Sequence, residues 1–406
     1  MFARHGVYAS LGLCLRQPRL ILICPRPLLV APTGGARSPL FARLRATCPR
    51  LSSSSSSTAM RVNLPRPLPD LVETQFSAAS QNGSLIFSAT EVCTINTTAG
   101  IPFQLRYCPA LAKKPTADTS STPEDAPKKK FDPFESPSPD LFVAAIPEHD
   151  APTHILVLNK YPVIRDHLII ATKKNKPQTH ILERDDLAAT YSCLTEWERA
   201  KGPDAKLFAF FNSGEHSGAS QPHRHLQFLP VDNMYSGVDT KDWELLVDRV
   251  LNSSYIGSTG FVSNPGLPFS HFAFRIPPNP SAAVLHTIYT ALYSTAVDYV
   301  RRYISNHPGE LTLHSTEDGS SSISYNLAIT TSAMVICPRR RGGDKLRLED
   351  GTELDLVELN GTVLGGTLMV KESNQWEALR NDTGVLTRLL EKIGIPWENG
   401  ESQSQL

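Results

Sequence analysis

Three features of this 406-residue sequence predict an α+β fold. Short apolar, β-branched or aromatic runs, such as THILVLNK (153–160) and KLFAFFN (206–212), read as strands. Long amphipathic helices are interleaved with them in both parts of the chain, the longest from Ser281 to Asn306. No repeat of about 20 to 50 residues is present, which sets aside solenoids and propellers.

Taken in order, ordered sequence begins near Leu64. Leu71–Thr90 mixes apolar and polar positions and opens with a helix. Ile101–Pro115 reads as a strand running into a basic turn. Residues 116–130 are Ser, Thr, Pro, Asp, Glu and Lys with hardly an apolar side chain, so they read as a disordered insertion. Thr153–Lys160 and His167–Thr172 form a strand pair across a polar turn. Asp185–Ala200 is helical, with Leu187, Tyr191, Leu194 and Trp197 on one face. Lys206–Asn212 is a buried strand; a Gly/Ser loop, SGEHSGAS, follows, and then the strand HRHLQFLP. In the second half, Leu285, Ile288, Tyr289, Leu292, Ala296 and Tyr299 stripe the long helix. Ser321–Thr331 and Ala333–Pro338 are strands, and Val363–Lys371 is a third strand or a buried element. Thr387–Ile393 is a closing helix stopped by Gly394 and Pro396. The expected division is 1–59 outside the fold, 60–235 as a catalytic half and 236–406 as a second half completing the site.

Composition narrows the function. Forty Lys and Arg balance forty Asp and Glu. No net positive field exists to attract a phosphate backbone, which argues against a nucleic-acid binder. No apolar run of about 18 residues is present, so no membrane span is expected. Seven cysteines are scattered without CxxC spacing, and neither a disulfide framework nor a zinc knuckle is supported. Residues 1–69 contain no Asp, Glu or Lys but many Arg, with a serine run at Ser52–Ser57. That signature fits a mitochondrial transit peptide; the alternative is a mis-assigned start upstream of Met60. A cytoplasmic location is expected, with the mitochondrion as the alternative.

The segment FFNSGEHSGASQPHRHLQFL (210–229) carries the chemistry. Alternation along a strand puts His223, His225 and Gln227 on one face. Upstream, Gly214 and Gly218 permit unusual dihedrals, and Ser213, Ser217, Ser220, Asn212 and Gln221 offer donors. Such a loop binds phosphate through backbone N–H groups without net charge. Phosphate beside two imidazoles suggests attack of a neutral histidine on phosphorus, splitting one transfer into two steps. The attacking nitrogen must be bare, which requires an acceptor on the other one. Gln227 can donate to a phosphoryl oxygen but has no proton to lose. The rival readings are a metal site at His216, His223 and His225, and a non-catalytic nucleotide-binding module.

QPHRHLQ resembles the histidine-triad superfamily, in the branch whose third position is Gln, as in galactose-1-phosphate uridylyltransferases. The longer constellation adds LVLNK upstream, NSGxxSGASQxHxHLQ, and SYNLAIT…MVICPR downstream. It resembles fungal diadenosine tetraphosphate phosphorylases, also called ATP adenylyltransferases, from about Leu64 to Trp397. The resemblance implies a uridylyltransferase-like α+β fold with antiparallel sheets and two related halves. It implies a nucleotidyltransferase that converts diadenosine tetraphosphate and phosphate into ADP and ATP through an AMP–histidine intermediate, with adenylylsulfate as a further substrate. A histidine-triad hydrolase is the alternative. By the same resemblance His225 is the nucleophile, His223 orients it and Gln227 contacts the transferred phosphate. Gly218, Ala219, Ser220 and Gln221 form the phosphate cradle with Asn212 beside it. Lys114, Asn159, Lys160, Asn326, Thr330, Met334 and Arg339 match positions that contact substrate. Ser332 and Ala333 depart from the family, which tends to carry an aromatic residue before the methionine. No tightly bound cofactor or protein-held metal is expected; a divalent cation such as Mg²⁺ rides in with the polyphosphate. Lys114, Lys160 and Arg339 are the candidate cations that neutralise it.

Overall fold

The longest sheet of the molecule has eight strands, in the spatial order Phe142–Ile146, His154–Leu158, Leu168–Thr172, His225–Pro230, Leu207–Ser213, Ser324–Ile329, Ala333–Arg339 and Phe272–Arg275. The structure, a computed structural model, describes residues 62–110, 131–147, 151–235, 242–253, 255–256 and 260–398. The expected N-terminal segment, the 116–130 insertion and Lys114 lie outside the described residues.

The chain enters through helix α1 (Leu68–Gln81), whose Leu68, Val72, Phe76 and Ala79 are buried along one stripe. Strands β1 (Glu91–Asn96) and β2 (Pro102–Tyr107) form a hairpin. Strands β3 (Phe142–Ile146), β4 (His154–Leu158) and β5 (Leu168–Thr172) follow. Helix α2 (Arg184–Lys201) starts at a reciprocal cap: the Glu183 side chain accepts from the Asp186 backbone, and Asp186 accepts from the Glu183 N–H. Strands β6 (Leu207–Ser213) and β7 (His225–Pro230) flank the Gly/Ser loop. Short helices α3 (Val231–Met234) and α4 (Leu246–Leu251) lead to strand β8 (Phe272–Arg275). Helix α5 (Ala282–Asn306) is capped by the Ser281 hydroxyl on the Val284 N–H. Strands β9 (Ser324–Ile329) and β10 (Ala333–Arg339) complete the large sheet, and β11 (Gly343–Arg347) and β12 (Glu353–Glu358) make a separate hairpin. After strand β13 (Thr367–Val370), helices α6 (Ser373–Asn381) and α7 (Thr383–Ile393) close the chain.

Every pairing in the eight-stranded sheet is antiparallel. Strands from before residue 235 join strands from after 236 at the β6–β9 pair, where Asn212 lies opposite Asn326. The expected third strand of the second half divides into a 3-10 turn at Gly361–Gly365 and β13, because Gly366 turns the backbone left-handed at φ 72°. β13 lies parallel to β2, the single parallel pair among the described strands. The closing helix starts at Thr383, four residues earlier than expected, where Asp382 caps the Gly384 N–H.

Paired residues share a face, so the registers sort the side chains. One face carries Phe211, Leu226, Phe228, Leu327, Ile329 and Met334, buried in one core with Trp197 of α2 and Leu285, Leu292 and Tyr299 of α5. The other face carries Gln227 opposite Ile169 and Phe210, and Ala171 opposite His225. On this side Phe208, Phe210 and Val335 pack in a second core, and Phe134, Ile155, Val157 and Ala171 in a smaller third one. His225 stands between these two apolar groups. Among the described residues no helix is long and apolar enough to cross a membrane.

Leu292→Ala is expected to lower the unfolding free energy by about 2–5 kcal/mol in urea denaturation. Activity per folded molecule at 25 °C should stay near wild type, because Leu292 lies in the core of the face opposite His225.

Candidate active site

His225 opens β7 and is 3 % exposed. Its Nδ1 lies 2.8 Å from the backbone carbonyl oxygen of His223, which can only accept, so Nδ1 carries the proton. Nε2 is then the bare nitrogen, and no described residue bonds it. Burial pushes the pKa of His225 down to about 4 against the opposing pull of that hydrogen bond, so the ring is neutral at physiological pH.

The surroundings fix this ring. The β7 ladder begins at His225, and His223 instead makes a single bridge to Pro177. The His223 ring is pinned at both nitrogens: Nδ1 is 2.7 Å from Asp132 Oδ2, and Nε2 is 2.6 Å from the Thr172 carbonyl oxygen. Partial burial pushes the Asp132 carboxyl up, but the Phe134 N–H and His223 outweigh it and hold its pKa below the ordinary value. Phe134 sets its ring 5.1 Å from that of His225. Gln178 bridges β6 and β7 beyond the end of their ladder. Its Oε1 accepts from the His225 N–H at 2.7 Å, and its Nε2 donates to the carbonyls of Asn212 at 2.8 Å and His225 at 3.1 Å. Asp132, Phe134 and Gln178 were not singled out in the sequence, since each is far from the histidine motif along the chain.

Gly214 and Gly218 have φ of +88° and +76°. A Cβ on Gly214 would sit 2.4 Å from Ser324 Oγ, and one on Gly218 would sit 2.7 Å from the Leu359 carbonyl oxygen. The loop is therefore folded tightly against the second half of the chain. Ser217 is spent inside it, its hydroxyl donating to the Gly214 carbonyl at 2.6 Å. Gly218, Ala219 and Ser220 are exposed and Gln221 is half-buried. None of the described hydrogen bonds uses the backbone N–H of these four residues.

The other expected contacts divide. Asn212 and Asn326 lie behind the loop: Asn326 Nδ2 donates to Asn212 Oδ1 and to the Ser217 carbonyl, both at 2.9 Å, and the Gly361 N–H reaches Asn212 Oδ1 at 2.8 Å. Arg339 joins them from β10. It is 2 % exposed and donates to Asn326 Oδ1 and to the carbonyls of Arg341, Gly342, Leu359 and Ile393, with no carboxylate among these partners. Burial lowers its pKa to about 10, which leaves it a cation at neutral pH. Asn159 bonds the Tyr161 N–H and His167, and His167 bonds Gln227. Lys160 is exposed, its ammonium 5.6 Å from the centre of the Tyr161 ring. Met334 lies on the sheet face opposite His225, and Thr330 caps the β9–β10 turn through its hydroxyl to the Ala333 N–H. The structure thus gathers His223, His225, the loop, Asn212, Asn326 and Arg339 about one end of the sheet, with Gln227 and then Asn159 farther along the same face, and it does not bring Thr330 or Met334 to that end. Among the described residues no three His, Cys, Asp or Glu side chains form a group that could hold a metal ion. The histidines of the metal reading, His216, His223 and His225, form no such group.

Two family profiles match in succession, the Ap4A phosphorylase N-terminal domain over residues 58–243 and the ATP adenylyltransferase C-terminal domain over residues 265–396. The chain belongs to the Ap4A phosphorylase family. It is a nucleotidyltransferase of that family. Protein APA1 of Saccharomyces cerevisiae is 24% identical over 356 residues, covering 85% of this chain and 99% of that protein. Diadenosine 5′,5‴-P1,P4-tetraphosphate phosphorylase 2 of the same yeast is 25% identical over 345 residues, covering 82% and 96%. The crystal structure of yeast Ap4A phosphorylase Apa2 in complex with Ap4A superposes with a TM-score of 0.64 at 22% identity, over 82% of this chain and 99% of that one. The α+β fold with antiparallel sheets expected from the sequence is therefore the phosphorylase fold.

Two predictions follow from this geometry. Gly218→Ala forces a side chain into left-handed backbone and onto Leu359, so it should cost at least about 1 kcal/mol of stability and raise KM for nucleotide; initial rates and urea unfolding measure both. His225 and His271 are both buried with pKa values lowered to about 4, chiefly by burial. Unfolding restores ordinary values near ~6.5 and takes up protons. This stability is present above the unfolded value and is lost as pH falls toward 4, by up to about 1.4 kcal/mol per pH unit for each ring. Urea titrations across that window should show the decline, shallower by one proton in His271→Phe.

Proposed function

We propose that the protein phosphorolyses diadenosine tetraphosphate through an AMP–histidine intermediate on His225. The observation that carries this reading is the bare Nε2 of His225 beside the four unengaged N–H groups of Gly218–Gln221. Nε2 attacks the phosphorus of one AMP unit, the P–O bond to the remaining three phosphates breaks, and ATP leaves. An oxygen of inorganic phosphate then attacks the same phosphorus, the P–N bond breaks, and ADP leaves. The proton stays on Nδ1 throughout, held by the His223 carbonyl, and it stabilises the charge the ring gains on attack. The loop amides and the Gln227 amide donate to the phosphoryl oxygens as negative charge builds there.

Charge neutralisation fits a protein with no net charge. Arg339 contributes a fixed cation behind the loop, and Lys160 an exposed one. A divalent cation is proposed to arrive with the polyphosphate, bound by phosphate oxygens in the manner usual for Mg²⁺. Adenylylsulfate offers the same adenylyl phosphorus with sulfate as leaving group, and it is proposed as a further substrate. Both adenylyl donors place the same group on His225.

His225→Ala should lower turnover by about a thousand-fold or more while the far-ultraviolet spectrum is kept. With diadenosine tetraphosphate, wild type should give ADP and ATP only when phosphate is supplied. AMP and ATP formed at full rate without phosphate would mean that water is the acceptor. In single turnover, protonation of the nucleophile should not slow the first step until pH approaches 4. A midpoint near 6.5 that tracks His225 would contradict the buried neutral ring.

A further inference from the structure

Three side chains, two flanking the β4–β5 turn and one on the neighbouring strand β7, form a chain of hydrogen bonds that ends at Gln227. Asn159 follows β4, His167 precedes β5, and Gln227 lies in β7, which pairs with β5. The first link is a backbone N–H, which can only donate, and it fixes the sense of all that follow. The Tyr161 N–H lies 2.9 Å from Asn159 Oδ1, so the amide nitrogen of Asn159 faces the other way. That nitrogen is 3.2 Å from His167 Nδ1 and donates to it. A ring nitrogen that accepts is bare, so neutral His167 carries its proton on Nε2. Nε2 is 3.0 Å from Gln227 Oε1, which accepts. Among the described residues no hydrogen bond uses Gln227 Nε2.

We infer that His167 is a positioning residue: with Asn159, it locks the Gln227 carboxamide with its NH₂ end toward the transferred phosphoryl group. An amide is nearly symmetric in shape, so packing alone distinguishes its two ends poorly. Turned the other way, Gln227 would present a carbonyl oxygen to an anionic phosphoryl group and repel it. The relay therefore converts a residue of ambiguous orientation into a fixed donor. His167 is 8 % exposed, which shields the link from competing water. This inference rests on the proposed function, in which Gln227 touches the phosphate. It also gives Asn159 a role within the relay, two hydrogen bonds behind Gln227.

A double-mutant cycle with diadenosine tetraphosphate and phosphate tests it. Gln227→Ala is expected to lower kcat by about 10²–10³-fold, as for loss of one donor to a developing charge. His167→Phe keeps a ring of similar shape and removes both nitrogens. It should lower kcat by about ten- to a hundred-fold, with KM for the dinucleotide changed by less than about three-fold. The combined variant should be no slower than Gln227→Ala alone, because His167 acts only through Gln227. Effects that multiply, or a fully active His167→Phe beside a slow Gln227→Ala, overturn the relay and leave the proposed function standing. A fully active Gln227→Ala overturns the role of Gln227 itself. Nitrogen-15 NMR of the wild-type enzyme needs no substitution and decides the matter should His167→Phe not fold. His167 protonated at Nε2 and bare at Nδ1 is expected at neutral pH; the opposite tautomer, or protons on both nitrogens, overturns the assignment.

Discussion

The Nδ1–H of His225 has one acceptor, the carbonyl oxygen of His223 at 2.8 Å, and that commitment sets the chemistry of the ring. A histidine with its proton parked on a backbone carbonyl is a nucleophile at the other nitrogen, provided that it stays neutral. Burial keeps it neutral. The carbonyl itself must not move, and much of the local structure serves that end: Asp132 and Thr172 hold the His223 ring from both sides. Gln178 holds the backbone on either side of the point where β6 and β7 part to make room for the loop. The sheet supplies the rest, since its far face is packed under two long helices and leaves the near face fixed.

Most of the elements were legible because their signals are local. Alternation placed His225 and Gln227 on one face, and the stripes of α2 and α5 gave their extents to within a residue or two. Strands β1, β3, β8, β11 and β12 were not foreseen, because β1, β3 and β8 are short strands at sheet edges and the β11–β12 hairpin is polar and half-exposed. The motif around QPHRHLQ pointed to the nucleophile, since loop, strand and histidines are contiguous. What clamps it was hidden, because Asp132, Gln178 and His167 reach the site only through strand pairing and a crossing loop. One signal for the relay was available: Asn159 and His167 flank the turn of the β4–β5 hairpin, so antiparallel register alone brings them together.

The site also depends on residues that the first half of the chain does not contain. Asn212, at the end of β6, is tied to Asn326 of β9 and to the N–H of Gly361. The phosphate loop rests on Ser324 through Gly214 and on Leu359 and Asn360 through Gly218. Both glycines are required twice over, by their backbone angles and by these contacts. The two sequence regions that the family profiles match separately are thus joined at the place where the chemistry is proposed to occur.

Arg339 gives this join an electrical property. Its guanidinium is almost wholly enclosed, neutralised by no carboxylate among its partners, and separated from the Ser217 carbonyl by one asparagine side chain. The ionic atmosphere that screens surface lysines over about 8–10 Å at physiological salt cannot surround a charge held inside the protein. The potential felt by an anion on the loop is consequently set by the fold more than by the surrounding buffer. A protein with no net charge can in this way favour a polyphosphate at one point, without becoming an adhesive surface for every other anion in the cell.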